Sequence, residues 1–424
     1  MPAKPYERIV LKNGLRVILV PQKESLATTV AVLVSAGSKY ETKELNGISH
    51  FLEHMCFKGT VNRPRPIDIA SEFDSLGAEN NAFTGEEMTS YYAKAKNSAA
   101  PKLVDILADM YINPLFKAED IEKERGVIVE EINMYEDLPQ RKVQELVMEL
   151  AYGDQPAGWS IAGPKENVRR FTREDFTSYR AHHYVPKATV VLVSGGFSRS
   201  IVKDIERHFM QLPSGKKDQK RKVVERQKVP SELIHFKESD QTHAVVAFRA
   251  FDEFDERRFA LQVLADILGG GMGSRLFQLV REKLGAAYYV HANADLYSDH
   301  GLLAMSAGLD HKKVEIVLEA LLRECARFTK DLVPKDELAR AKEHMTGGLL
   351  LSLETSDQLG YFYAGQEIAG KRIMDPQTLE RKVRAVTAEQ IKKVAREVFK
   401  DRGLNLALIG PAKDKSFKKL LKVK

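Results

Sequence analysis

Two spacings of apolar residues alternate along this chain, and together they predict its elements. The first half opens on a period of two. Ile9-Val10-Leu11 and Val17-Ile18-Leu19-Val20 flank Asn13-Gly14, the strongest short signal for a hairpin turn. A third strand is predicted near Thr28 to Ser35. The spacing then becomes helical: Leu45, Ile48, Leu52, Met55 and Gly59 trace one apolar or small stripe, and His50, Glu53, His54 and Phe57 the stripe beside it. A helix from Pro66 to Gly77 follows, then strands near Glu79–Thr84 and Thr89–Lys94. Several helices, one over Ala118–Leu138, lead to the apolar strand Thr189–Val193 and a last helix into Leu212. The stretch 213–231 is polar and basic and reads as a linker. The order then recurs, with strands near Leu233–Phe236, Ala244–Arg249, Tyr288–Ala294, Leu302–Gly308 and Leu404–Ile409. Helices are predicted near Arg257–Leu268 and Ser274–Leu284 and through most of the remainder. The expectation is an α+β protein of two similar domains, 1–212 and 232–424, each a mostly antiparallel sheet packed with helices.

The polar stripe beside the first apolar one carries chemistry. His50-Phe51-Leu52-Glu53-His54 is a His-x-x-Glu-His pattern. On a helix, residues four apart project from one face about a turn apart, and Glu53 shares that face. Two imidazoles can bind a divalent metal while the carboxylate serves as general base toward a water. The order inverts the commoner His-Glu-x-x-His and is the inverzincin signature. Chance alone yields one such match in about four chains per hundred of this composition, so the helical stripe adds weight.

A third ligand is needed, with one position left open. In Ala118–Leu138 one helical face reads Ile121, Glu124, Ile128, Glu131, Tyr135, so two glutamates fall in an apolar stripe. Buried carboxylates are normally paired or metal-bound. Glu131 is the expected ligand and Glu124 a supporting carboxylate orienting a histidine ring. The bland reading is two surface glutamates on a misjudged face.

The stretch from Gly37-Ser38-Lys39-Tyr40-Glu41 through His50-Phe51-Leu52-Glu53-His54-Met55-Cys56-Phe57-Lys58-Gly59-Thr60 resembles the pitrilysin family of zinc metallopeptidases, and within it the mitochondrial processing peptidase branch and its bacterial relatives. Glu124-Arg125-Gly126-Val127-Ile128-Val129-Glu130-Glu131 resembles the family's distal segment. The resemblance implies zinc held by His50, His54 and Glu131, with Glu130 as the alternative to Glu131 and Glu53 as the base. It implies that Asn81, Ala82 and Phe83 lie on an edge strand to which a peptide adds as another strand. It further implies that Arg281 and Tyr288, seven apart in the metal-free half, reach the substrate as donors to its carbonyl. Read without the family, those two are a helix-end ion pair and a core aromatic. Because one chain carries both elements, a homodimer with two complete sites is expected. A heterodimer, or a zinc-less scaffold chain, is the alternative.

Composition narrows the rest. At 424 residues with 43% apolar content the chain can build two or three cores. A net charge of +6 with no basic–aromatic clustering gives no nucleic-acid footprint. Lys216–Lys222 reads as a solvated charge run and the tail from Lys413 as a solvated terminus. Cys56 and Cys325 make no disulfide framework. Cys56 falls off the His50/His54 face and is expected in the core. No apolar run approaches spanning length, and Met1-Pro2-Ala3-Lys4-Pro5 has no apolar signal core, so a cytoplasmic protein with no membrane partner is expected. Gly269–Gly273 lacks the Gly-Lys-Ser/Thr ending of a phosphate loop and follows a helix, so it reads as a flexible or close-approach loop. His182-His183 reads as structural.

Overall fold

The computed structural model describes residues 5–423; the predicted N-terminal stretch and the final lysine of the basic tail lie in part outside them. The described chain forms two compact units, each built around one sheet. One unit runs to Ile132 and takes in Ser160–Arg221 and Leu350–Asp375; the other comprises Asn133–Trp159, Lys222–Leu349 and the chain from Pro376.

The first sheet contains β1 (Glu7–Val10), β2 (Arg16–Pro21), β3 (Ala27–Val34), β4 (Glu79–Thr84), β5 (Thr89–Lys96) and β6 (Thr189–Gly195) in the order β1-β2-β6-β3-β5-β4. The second contains β7 (Ser231–Phe236), β8 (Thr242–Ala250), β9 (Ala287–Leu296), β10 (Gly301–Leu309) and β11 (Leu404–Gly410) in the order β7-β11-β8-β10-β9. Setting β1 aside, the two orders are one topology: the first strand pairs in parallel with the last, and every other pairing is antiparallel. The expected duplication is present, and all eleven predicted strands form.

The side-chain period of two explains the layers of the first unit. Val17, Leu19, Val30, Val32, Val34, Val191 and Val193 point into one core with Phe51, Leu52 and Met55 of the helix Ile48–Met55. Their neighbours Ile18, Val20, Ala31, Leu33, Val190 and Leu192 point the other way, against Tyr363, Ala364 and Ile368 of the helix Ser356–Ile368. With both faces covered, β3 and β6 read as continuous apolar runs rather than alternating ones.

That second layer departs from the division by sequence order. The helix Ser356–Ile368 comes from beyond residue 232, yet it packs on the first sheet, where Gly360 lets it approach: a Cβ there would lie 2.8 Å from that of Ser194. Conversely, Val143, Leu146 and Val147 of Pro139–Tyr152 join Val245, Ala247, Ala304 and Ala407 of the second sheet. A sheet buried on both faces needs a second layer of helices, and each sheet draws one from the other half of the chain. The basic run is also not wholly solvated. Lys217 Nζ donates to Ser35 Oγ at 3.0 Å, and Lys220 pairs with Glu87. Among the described residues no helix is long and apolar enough to cross a membrane.

Candidate metal centre

The helix Ile48–Met55 has no capping side chain at its own N-cap, Gly47, whose φ is +100°. The cap comes from Glu41. Its carboxylate accepts from Gly47 N at 2.9 Å, Ser49 N at 2.8 Å and Asn46 Nδ2 at 2.9 Å. A negative group at this end satisfies otherwise orphaned donors and suits the helix dipole. Ile48, Phe51, Leu52 and Met55 bury the opposite stripe, so His50 and His54 are held outward on a fixed face.

The two rings lie with centroids 4.7 Å apart at 72°. His50 Nε2 and His54 Nε2 approach the same atom, Glu131 Oε2, at 3.7 and 3.5 Å. The ligand atoms of His50, His54 and Glu131 all lie within 4.8 Å of one another. A tetrahedral ion with bonds of about 2.0–2.2 Å spaces its ligand atoms roughly 3.4 Å apart, so this donor set fits a zinc-type ion. Glu130 is exposed. The buried stripe of Ala118–Asp137 is Ile121, Glu124, Ile128 and Ile132, which leaves Glu131 on its half-exposed shoulder rather than inside it.

Glu124 occupies the supporting position. His54 Nδ1 donates to its Oε1 at 2.8 Å, and Lys58 Nζ reaches its Oε2 at 2.6 Å. Because a carboxylate only accepts, Nδ1 carries a hydrogen, and Nε2 is the ring atom turned toward Glu131. Burial works against ionisation of Glu124, but the hydrogen bonds from His54 and Lys58 outweigh it and hold the carboxyl below its ordinary range. Glu53, between the histidines, is 9% exposed. Thr84 Oγ1 donates to its Oε2 at 2.5 Å. Burial pushes the Glu53 carboxyl above its ordinary range, against the opposing pull of Thr84 and His54.

Thr84 ends β4, the edge strand. Asn81 is exposed and its Oδ1 accepts from the Ala82 N–H at 2.8 Å; Ala82 packs against the core beside the helix Ile48–Met55. Phe83 points to the other face of the sheet, its ring 5.9 Å from that of Tyr361, so its side chain turns away from Glu53. Arg281 and Tyr288 lie in the second unit and meet each other. Arg281 Nη1 donates to the Tyr288 carbonyl at 3.0 Å, and Tyr288 is 73% exposed at the start of β9. Arg281 sits on Phe277–Lys283, which winds as a π-helix where an ordinary helix was expected. Gly269 approaches β9 so closely that a Cβ would meet Ala292 N at 2.3 Å, which fits the close-approach reading of the glycine run. Cys56 is buried beside Tyr91, and the His183 ring packs on Tyr179 at 4.2 Å, tilted by 38°. Glu41, Lys58 and Thr84 join the site without being among the residues expected there from the sequence. The missing N-cap at Gly47 was the signal for Glu41; nothing in one sequence points to the other two.

The duplicated α+β fold and the inverted His-x-x-Glu-His cluster in its first half define a metallopeptidase class, and the comparisons give the family. Residues 16–165 match Insulinase (Peptidase family M16), and residues 170–345 match the Peptidase M16 inactive domain. A Bacillus subtilis protein named zinc protease YmxG is 35% identical over 413 residues, covering 96% of this chain and 98% of its own. A zinc protease of Rickettsia felis is 36% identical over 409 residues, covering 95% and 96%. The chain belongs to peptidase family M16, the pitrilysin family. A solved Helicobacter pylori protease shares the fold with a TM-score of 0.88 at 22% identity, over 96% of this chain and 99% of that one. A Pseudomonas fluorescens M16 inactive-domain structure also scores 0.88, at 19% identity, over 97% and 100%.

Proposed function

We propose that the protein is a zinc-dependent endopeptidase that cleaves extended peptides laid along β4. The observation that carries this reading is the convergence of His50, His54 and Glu131 with Glu53 beside them, its carboxylate held by Thr84. It is supported by the relatives, which are named zinc proteases. His50, His54 and Glu131 hold the ion, which when bound supplies Lewis-acid polarisation at its open position.

The chain's own residues do the proton work. Glu53 takes the proton of the attacking water as its oxygen bonds to the scissile carbonyl carbon. It returns that proton to the amine as the C–N bond breaks. Burial strengthens Glu53 as a base, and Thr84 fixes its direction. The outward edge of β4 at Ala82 offers backbone pairing, which selects extended chains over particular side chains. Arg281 and Tyr288 serve as donors to the substrate's developing oxyanion. A homodimer in which each copy supplies both elements is part of the proposal, and its measured mass tests it.

The decisive variant is Glu53→Gln. It keeps an acceptor for Thr84 and leaves the three ligands intact, so metal content stays at the wild-type stoichiometry while peptide hydrolysis falls by a factor of about 100 or more. Equal cleavage by variant and wild type refutes Glu53 as the base.

A further inference from the structure

We infer that Lys58 is a positioning residue for the metal centre: it clamps Glu124 from the side opposite His54 and so fixes the direction in which His54 presents Nε2. The inference rests on the proposed reading of His50, His54 and Glu131 as metal ligands.

The geometry is a three-part chain. His54 and Lys58 are four residues apart and take one oxygen each of the same carboxylate, at 2.8 and 2.6 Å. The Glu124 side chain is only 7% exposed, so water is a poor substitute for either donor. A carboxylate held at one oxygen can still swing about its side-chain bonds. Held at both, it is a fixed acceptor, and the imidazole bonded to it has one orientation.

The backbone on both sides of this clamp is also fixed. Directly after Lys58 the chain turns at Gly59, with φ +128°, where a Cβ would lie 2.6 Å from Pro64 O. Leu115 N donates to Gly59 O at 3.0 Å, and Thr60 bridges Pro114. The loop carrying Lys58 is therefore tied to the segment leading into Ala118–Asp137, the helix that bears both Glu124 and Glu131. Backbone hydrogen bonds fix where Lys58 starts relative to Glu124, and the Glu124 side chain is buried, which distinguishes the pair from the fully exposed ion pairs that contribute little.

The test is cobalt uptake by the metal-stripped full-length protein, followed by visible absorption and by competition with a chelator. Loss of a partner that orients a metal ligand costs about 10–100-fold in affinity. Lys58 acts one step further out, so Lys58→Met is expected to weaken cobalt binding by about 3- to 10-fold and to alter the absorption bands. Lys58→Arg should restore both, and Lys58→Gln, an uncharged donor, should fall between. The signature is coupling: in a Glu124→Gln background, Lys58→Met should add no further loss. Wild-type affinity and spectrum in Lys58→Met overturn the inference, as does an undiminished effect in the Glu124→Gln background or a failure of Lys58→Arg to restore. A wild-type protein that takes up no cobalt overturns the metal reading itself, and the inference with it.

Discussion

Replacing Glu41 with Gln tests whether the histidine-bearing helix is held from outside itself. The Glu41 carboxylate uses both oxygens: Oε2 accepts from Gly47 N and Asn46 Nδ2, and Oε1 from Ser49 N. Glutamine keeps the shape but puts an NH2 where one of those oxygens was, so at least one inward-facing donor meets another donor. The loss is one charge-assisted hydrogen bond, about 1.5–3 kcal/mol, plus a buried donor left without a partner, about 1–3 kcal/mol. Removing a buried carboxylate returns part of that cost, so a net loss of about 2–4 kcal/mol is expected. For a unit of roughly 200 residues this is a fall in Tm of about 4–16 °C. The damage is local to the first turn, where His50 is the third helical residue. Metal affinity should therefore fall together with Tm. Calorimetry on the metal-free protein reads Tm, and chelator competition reads the affinity. A Glu41→Gln protein that melts within about 1 °C of wild type and binds metal equally well would show that packing alone holds the helix.

Three further tests probe the surroundings. Burial depresses His183 from 6.5 to about 4. The unfolded chain then binds more protons across that window, so the contribution is present above about pH 6.5 and lost as pH falls toward 4. Its ceiling is about 3 kcal/mol. His183→Phe, which keeps the ring against Tyr179, should flatten the acid limb of a Tm-against-pH curve, and an unchanged limb counts against the assignment. Lys39 Nζ, with a side chain 0% exposed, pairs with Glu87 at 2.8 Å. Glu87→Gln removes a carboxylate that this buried ammonium shares with Lys220 and should cost about 1.5–3 kcal/mol in a urea melt, part of it recovered in Lys39→Met/Glu87→Gln. Phe83→Ala removes a ring that faces Tyr361, so about 1 kcal/mol of stability should go, while KM for extended peptides holds within about twofold; a large rise in KM would place Phe83 in the substrate site after all.

The periodicities made the strands legible because each depends on side chains two apart and on turn residues such as Asn13-Gly14, all local quantities. The His50/Glu53/His54 face was legible for the same reason at helical spacing. Glu131 is a mixed case. The stripe of Ala118–Leu138 points to the glutamate that lies beside both histidines, although the buried stripe itself passes through Ile132 and leaves Glu131 on its shoulder. What one sequence could not carry was pairing across distance. The helix Ser356–Ile368 shows almost no apolar stripe in its sequence, and nothing local says that it covers β2, β3 and β6. Thr84 and Lys58 look like ordinary strand-end and helix-end residues until β4 and Ala118–Asp137 are placed.

These distant supports suggest why the motif alone does not define the centre. His-x-x-Glu-His fixes which atoms face outward, but its first turn, Glu53 and His54 are each held by a residue from another element. Glu41 holds the first turn, Thr84 aims Glu53, and Glu124 aims His54. Each of these contacts falls at 2.5–2.9 Å onto a carboxylate, the length of charge-assisted bonds. A helix transplanted with its five motif residues would keep the 3.6-residue geometry and lose all three directions. The second sheet repeats the same strand order with the helix Arg258–Gly269 between β8 and β9, the place that Ile48–Met55 occupies in the first unit. That helix has no histidine in Arg258–Gly269 to direct. The duplicated fold thus supplies the same strand order in both halves, and only the first carries the side chains that its supports can aim.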